Sequence, residues 1–305
     1  MRPGPGGPYT PAVSASLVSQ IRRVLALGER ALEERLGAPP PPAFFADHPA
    51  FRWVGPPGRG RLQAIPDFAR YDLDDLVGID GAVATLVRNT EQFLAGHPSN
   101  HVLLHGERGT GKSSAVRGLL TRYLERGLRM VEVRRDDLLD LPDVLARLRG
   151  APQRFLLFCD DLSFGDGDSG YRELKAALEG SLEGPPANVR IIATSNRRHL
   201  LPEKQSENQA VRIDGDGEVR LGEALDEKLA LADRFGLVIG FFGFDQPTYL
   251  RIVAHHIARA GLDVDPERVR PDALRWALDR SSRSGRTARQ FVDDLAGRIA
   301  LGSAP

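Results

Sequence analysis

Apolar positions along the chain alternate between short unbroken runs and helically spaced stripes. Leu17, Val18, Ile21, Val24, Leu25, Leu32 and Leu36 predict a first helix, with Thr10 and Pro11 suited to its start and Gly37 to its end. The Pro/Gly-rich residues 1 to 8 before it predict disorder, and Pro39 to Pro42 a stiff spacer. An aromatic segment (Phe44, Phe45, Phe51, Trp53) and an extended piece from Leu62 to Pro66 follow. Asp80 begins a helix running to about Gly96. From there strands are expected at His101–His105, Leu128–Val133, Arg154–Cys159, Asn188–Thr194 and Leu237–Phe241. Helices are expected between them at Ser113–Arg126, Asp136–Arg149, Tyr171–Leu182 and Asp226–Phe235. Residues 213 to 219 read as a hairpin inside a polar excursion from 201 to 222. From Asp245 the pattern turns all-helical, with stripes over Asp245–Ala260, Asp265–Arg280 and Thr287–Leu301.

Strands alternating with helices predict a parallel sheet covered on both faces, followed by a small helical unit. We place the divisions at residues 1–70 (N-terminal attachment), 71–244 (α/β domain) and 245–305 (helical lid). The attachment either packs on the α/β domain or docks a partner.

Composition narrows the classes. A chain of 305 residues with 41% hydrophobic residues can bury a sizeable core. No run of about 18 apolar residues predicts a membrane span, and Met1 to Pro8 lacks the apolar segment of a signal peptide. The single cysteine, Cys159, excludes an intrachain disulfide and suits a reducing cytoplasm. A formal net charge of +0 gives no global pull toward nucleic acid.

The chemistry centres on Gly106-Glu107-Arg108-Gly109-Thr110-Gly111-Lys112-Ser113, followed by Ser114, which matches G-x-x-x-x-G-K-[ST] between a strand and a helix. In that context backbone N–H groups curl around a phosphate, and the helix N-terminus adds partial positive charge. Lys112 then reaches the β and γ phosphates and Ser113 holds Mg²⁺. Lysine is scarce (Lys112, Lys175, Lys204, Lys228), so a chance match is improbable on composition. The strand Arg154–Cys159 delivers Asp160, suited to the Mg²⁺ shell, and Asp161, placed to orient and deprotonate an attacking water. Asn196, at the tip of the next strand, can donate to phosphate and accept from water. Val77, Gly78 and Ile79, ahead of the glycine-loop strand, are candidate adenine contacts. Arg234, at a helix end beside a strand, can reach a neighbouring subunit's γ-phosphate; the structural alternative is a salt bridge to a local Asp. Arg286 and Arg289, three apart at a helix start, share a face that could close over nucleotide. Asp214, Asp216 and Glu218 alternate, but no Glu follows at the twelfth loop position of a Ca²⁺ site.

These motifs occur in the order seen in AAA+ ATPases. More closely, residues 106–114, Phe158-Cys159-Asp160-Asp161-Leu162-Ser163-Phe164, Thr194-Ser195-Asn196-Arg197-Arg198-His199-Leu200 and Ser284-Gly285-Arg286-Thr287-Ala288-Arg289-Gln290-Phe291 resemble the bacterial DUF815 proteins, over roughly residues 44 to 301. The resemblance implies a three-layer P-loop fold with a five-stranded parallel sheet and a helical lid, Mg-ATP as ligand, and oligomers with ATP at subunit interfaces. It assigns Lys112 and Ser113 to Walker A, Asp160 and Asp161 to Walker B, and Asn196 to the first sensor. Arg234 takes the place of the finger and Arg289 that of the second sensor, with Arg286 beside it. Most AAA+ proteins carry Glu where this chain has Asp161, one methylene shorter, so slow turnover is expected. The activity implied is ATP hydrolysis coupled to remodelling or assembly of a macromolecular partner, protein or nucleic acid. The alternative is an ATP-gated binding module or loader with little hydrolysis. A small-molecule P-loop kinase fits poorly, because no acceptor pocket is evident and the C-terminal part is all-helical. Arg197-Arg198-His199 could touch nucleic acid, the active site or a subunit interface.

Overall fold

A computed structural model describes residues 42–164, 169–179, 185–196, 212–213, 219–220 and 231–302. The helix expected over residues 10 to 37, the Arg197-Arg198-His199 cluster and the Asp214, Asp216 and Glu218 positions lie outside them. In chain order the elements are α1 (Pro42–Asp47), β1 (Ala50–Val54), β2 (Arg61–Ala64), α2 (Asp80–Leu94), β3 (Val102–Gly106) and α3 (Lys112–Tyr123). There follow β4 (Leu128–Glu132), α4 (Leu141–Leu148), β5 (Arg154–Cys159), α5 (Ser169–Glu179), β6 (Val189–Ser195), β7 (Arg212–Ile213) and β8 (Val219–Arg220). The chain ends with β9 (Leu237–Phe241), α6 (Gln246–Arg259), α7 (Pro266–Asp279) and α8 (Gly285–Ala300).

The main sheet has seven strands in the order β2-β1-β4-β5-β6-β3-β9, all parallel except β2. Five of them, β4-β5-β6-β3-β9, are the parallel strands expected from the sequence. The count of five is corrected by β1 and β2, which lie in the stretch assigned to an N-terminal attachment. Ala50, Phe51 and Arg52 pair in parallel with Met130, Val131 and Glu132, and Phe51 and Trp53 are fully buried. The aromatic segment is thus core: the free edge of β4 offers backbone partners, and burial of the rings stabilises the added strands.

Strand alternation sorts the core into two layers. Leu103, Val131, Phe155, Leu157 and Ile191 face one side with α4 and α5, while Val102, Leu104, Met130, Leu156, Phe158 and Ile192 face the other with α2 and α3. The helix expected over Asp136–Arg149 divides into a 3-10 segment, Arg135–Asp140, and α4. The division falls at Pro142, which lacks an N–H and fits only a first helical turn. β7 and β8 pair as the expected hairpin. Helices α6, α7 and α8 pack around their own core, in which Tyr249, Phe291 and Leu295 are buried. Asp245, Asp265 and Ser284 cap these helices by accepting a backbone N–H. No helix among the described residues is long and apolar enough to cross a membrane.

Candidate functional site

At the end of β3 the chain turns sharply at Gly106, whose φ is 133°. A Cβ built there would lie 1.9 Å from the Phe241 carbonyl oxygen, so only glycine lets β3 stay against β9 at this turn. The Glu107 N–H donates to that same carbonyl at 3.1 Å, and the Thr110 hydroxyl bonds back to the Glu107 carbonyl at 2.8 Å. Gly109 makes the second close approach, where a Cβ would meet Ser284 Oγ at 2.7 Å. The start of α8 therefore rests directly on the loop, with Arg286 N–H donating to the Gly109 carbonyl at 3.3 Å.

Lys112, first residue of α3, is buried and turns back into the loop. Its Nζ donates to the Gly106 carbonyl at 2.8 Å, the Glu107 carbonyl at 2.6 Å and Asn196 Oδ1 at 3.1 Å. Burial draws its pKa down, the carboxylates of Asp161 and Asp160 draw it back up, and Arg286 and Arg108 add to the depression. Asn196 Nδ2 donates to Asp161 Oδ1, so one amide bridges the lysine and the carboxylate. Asp161 itself sits at φ 51°, a backbone region that costs a non-glycine residue on the order of 1–3 kcal/mol and is held here by surrounding bonds. Its N–H donates to Thr194 Oγ1 at 2.8 Å, and the N–H of Leu162 to the Thr194 carbonyl at 2.7 Å.

Asp160 Oδ1 accepts two hydroxyls, from Ser113 and Thr194, each at 2.6 Å. Ser113 and Asp160 thus present hard oxygen donors side by side, the ligand type that suits Mg²⁺. With the inward-facing loop and Lys112, they fit a metal-bound polyphosphate.

A cleft of about 1020 Å³ joins these groups to the helical unit. Of the residues expected at the site, Val77, Ile79, Arg108, Gly109, Thr110, Gly111, Lys112, Ser113, Ser114, Asp160, Asp161, Asn196, Arg286 and Arg289 line it. Gly78, Gly106 and Glu107 do not line it. Arg289 is largely exposed and faces Asp293 at 3.9 Å. Arg234 does not line the cleft; its Nε pairs with Glu179 on α5, 55 positions away.

The sequence reading missed several of the side chains that line the cleft, among them Thr194, Arg117, Ile252 and His256. Thr194 is two positions before Asn196 and so on the same side of its strand, and Arg117 is one helical turn beyond Ser113; both spacings were readable. Ile252 and His256 come from α6 and had no local signal. Burial, then the neighbouring His255 and Arg289, holds the His256 imidazole below its ordinary pKa.

Two point variants of RuvB from Thermotoga maritima match the structure with a TM-score of 0.50 at 16% identity, covering 76% of this chain and 66% and 67% of theirs. Orc1 from Aeropyrum pernix, solved in complex with DNA, matches with a TM-score of 0.51 at 15% identity over 74% of this chain and 60% of that one. The chain therefore spans about two thirds or less of these proteins, and at such identity the likeness shows the fold, that of the AAA+ P-loop ATPases. No curated protein matches it. The sequence itself matches a family model over residues 46–299, described as a protein of unknown function, and the chain belongs to that family, DUF815.

Proposed function

We propose that this protein binds Mg-ATP in the cleft and hydrolyses it slowly as an oligomer, coupling nucleotide state to the remodelling or assembly of a macromolecular partner in the cytoplasm. The observation that carries this reading is the bonded series Lys112–Asn196–Asp161 beside the Ser113–Asp160 pair. Lys112 and the loop N–H groups would hold the β and γ phosphates, and Ser113 and Asp160 the metal. When bound, Mg²⁺ supplies charge that stabilises the phosphoryl group being transferred. Asp161 would take the proton of the attacking water while Asn196 fixes its direction. Arg286 and Arg289 would carry phosphate charge from the lid side, with Val77, Gly78 and Ile79 at the base. Arg234 would act on a neighbouring subunit's site.

The second reading, an ATP-gated switch or loader with little intrinsic hydrolysis, is favoured by the short Asp161 side chain. Nucleic acid enters as a candidate partner class through the Orc1 likeness, beside protein partners. ATP turnover per protomer, measured across a wide protein concentration range with Arg234→Ala alongside, tests the proposal. Turnover that rises with concentration and is lost in the variant while ATP still binds supports a shared site. ATP binding with turnover near zero at every concentration supports the switch, and absence of ATP binding overturns both.

A further inference from the structure

Asp160 has a third partner that the Walker chemistry does not require. Arg117 lies one turn beyond Ser113 on α3, and its Nη2 reaches Asp160 Oδ2 at 3.4 Å. The guanidinium is held from two sides, with its carbon 5.8 Å from the centre of the Tyr71 ring and 5.9 Å from that of Phe158. Both oxygens of the metal-binding carboxylate are therefore engaged, Oδ1 by the Ser113 and Thr194 hydroxyls and Oδ2 by a fixed positive charge.

We propose that Arg117 is a built-in counter-charge that competes with the divalent cation for Asp160 and so raises the metal concentration at which the site fills. The inference rests on reading the cleft as a Mg-nucleotide site. A metal ion arriving at Asp160 meets an arginine charge that never titrates away. Either the cation binds against that repulsion, or the guanidinium gives up Oδ2 and rests on the rings alone. Each route costs binding energy, and the pair is part-exposed, so the cost is that of a screened ion pair. Tyr71 gives the displaced guanidinium somewhere to stay. Its backbone N–H donates to the Thr121 hydroxyl, on the same helix as Arg117, at 3.2 Å, which anchors the Tyr71 backbone to α3.

The test is Mn²⁺ binding to the full chain in the presence of ADP, followed by electron paramagnetic resonance, for the unaltered protein and for Arg117→Met, which keeps an apolar stem against both rings. The proposal predicts that Mn²⁺ binds about two- to fivefold more tightly to the variant, the size expected of a part-exposed ion pair, and that the gap narrows in high salt. Unchanged or weaker Mn²⁺ binding overturns it, the weaker case marking Arg117 as a support for Asp160 instead. Arg117→Gln, which also removes the charge, provides the same comparison if the Met variant folds poorly. ADP binding without metal is measured in parallel: its loss in the unaltered protein would overturn the nucleotide-site reading itself, whereas a Mn²⁺ affinity that ignores Arg117 overturns only the counter-charge.

Discussion

Asn196 accepts a hydrogen bond from Lys112 Nζ at 3.1 Å and donates one to Asp161, which ties the lysine of the glycine loop to the carboxylate next to Asp160. Because the amide holds both, losing it leaves the lysine on its loop carbonyls but frees the carboxylate. Asn196→Ala and Asp161→Asn are each expected to lower ATP turnover by about 10²-fold, the scale of a lost general base or its orienting partner, with nucleotide affinity changed only a few-fold. Steady-state hydrolysis with parallel nucleotide titration checks this; unchanged turnover in Asp161→Asn would remove this residue from the role of base.

The turn at Gly106 allows a sharper structural test. A methyl group there would run into the backbone of β9 at Phe241, not into a side chain that can swing away, and φ 133° adds strain. Gly106→Ala should destabilise the fold by more than about 2 kcal/mol, since alanine is incompatible with both the angle and the neighbour. Urea unfolding measures the loss, and a Gly127→Ala control, at a positive φ with nothing within 4 Å, should lose less.

The parallel strands and the glycine loop were legible because each is a local pattern: an apolar run of five or six residues, or a motif eight residues long. The cap at Asp265, with Pro266 behind it, was legible for the same reason. What escaped notice was set by distant pairing. β1 is a short run whose partner, β4, lies about 80 positions on, so nothing near Phe51 or Trp53 shows that their backbone completes a sheet. Arg234 has the same history: its bond to Glu179 depends on how α5 packs. In the cleft, the residues of the loop and strand ends came together as their order suggested, whereas Ile252 and His256 were invisible until α6 was folded against residues 69–79.

The helical unit is clamped to that entry loop. Arg259 Nε reaches Asp75 Oδ1 at 2.7 Å, its Nη2 reaches Asp72 Oδ2 at 3.1 Å, and His255 Nε2 lies 2.9 Å from Asp75 Oδ1. Asp75→Asn removes the charge shared by two of these partners. We expect faster amide exchange in α6, by roughly two- to fivefold for weakened part-exposed ion pairs, while exchange in β3 and β5 is unchanged. Hydrogen-exchange mass spectrometry on the two proteins reads this directly; equal protection in α6 would mean that the core contacts of Tyr249 and Ile252 alone hold the unit in place.

A pH dependence follows from His101 at the entry to β3. Its Nδ1 accepts the Ile191 N–H at 2.9 Å, which requires the ring to be neutral with its proton on Nε2. Burial, with the nearby Arg190 charge adding to it, pulls the imidazole from 6.5 down to about 4. The unfolded chain therefore binds a proton below pH 6.5 that the folded chain refuses until about pH 4, so stability is full above pH 6.5 and falls as pH drops through this window. The loss from this one group amounts to roughly 3 kcal/mol across the window. His101→Gln, which can accept the same N–H without titrating, should flatten that part of the profile. Urea midpoints at pH 7 and pH 4.5 give the comparison: a drop in the unaltered protein that is clearly smaller in the variant supports the assignment, and identical drops would place the acid sensitivity elsewhere.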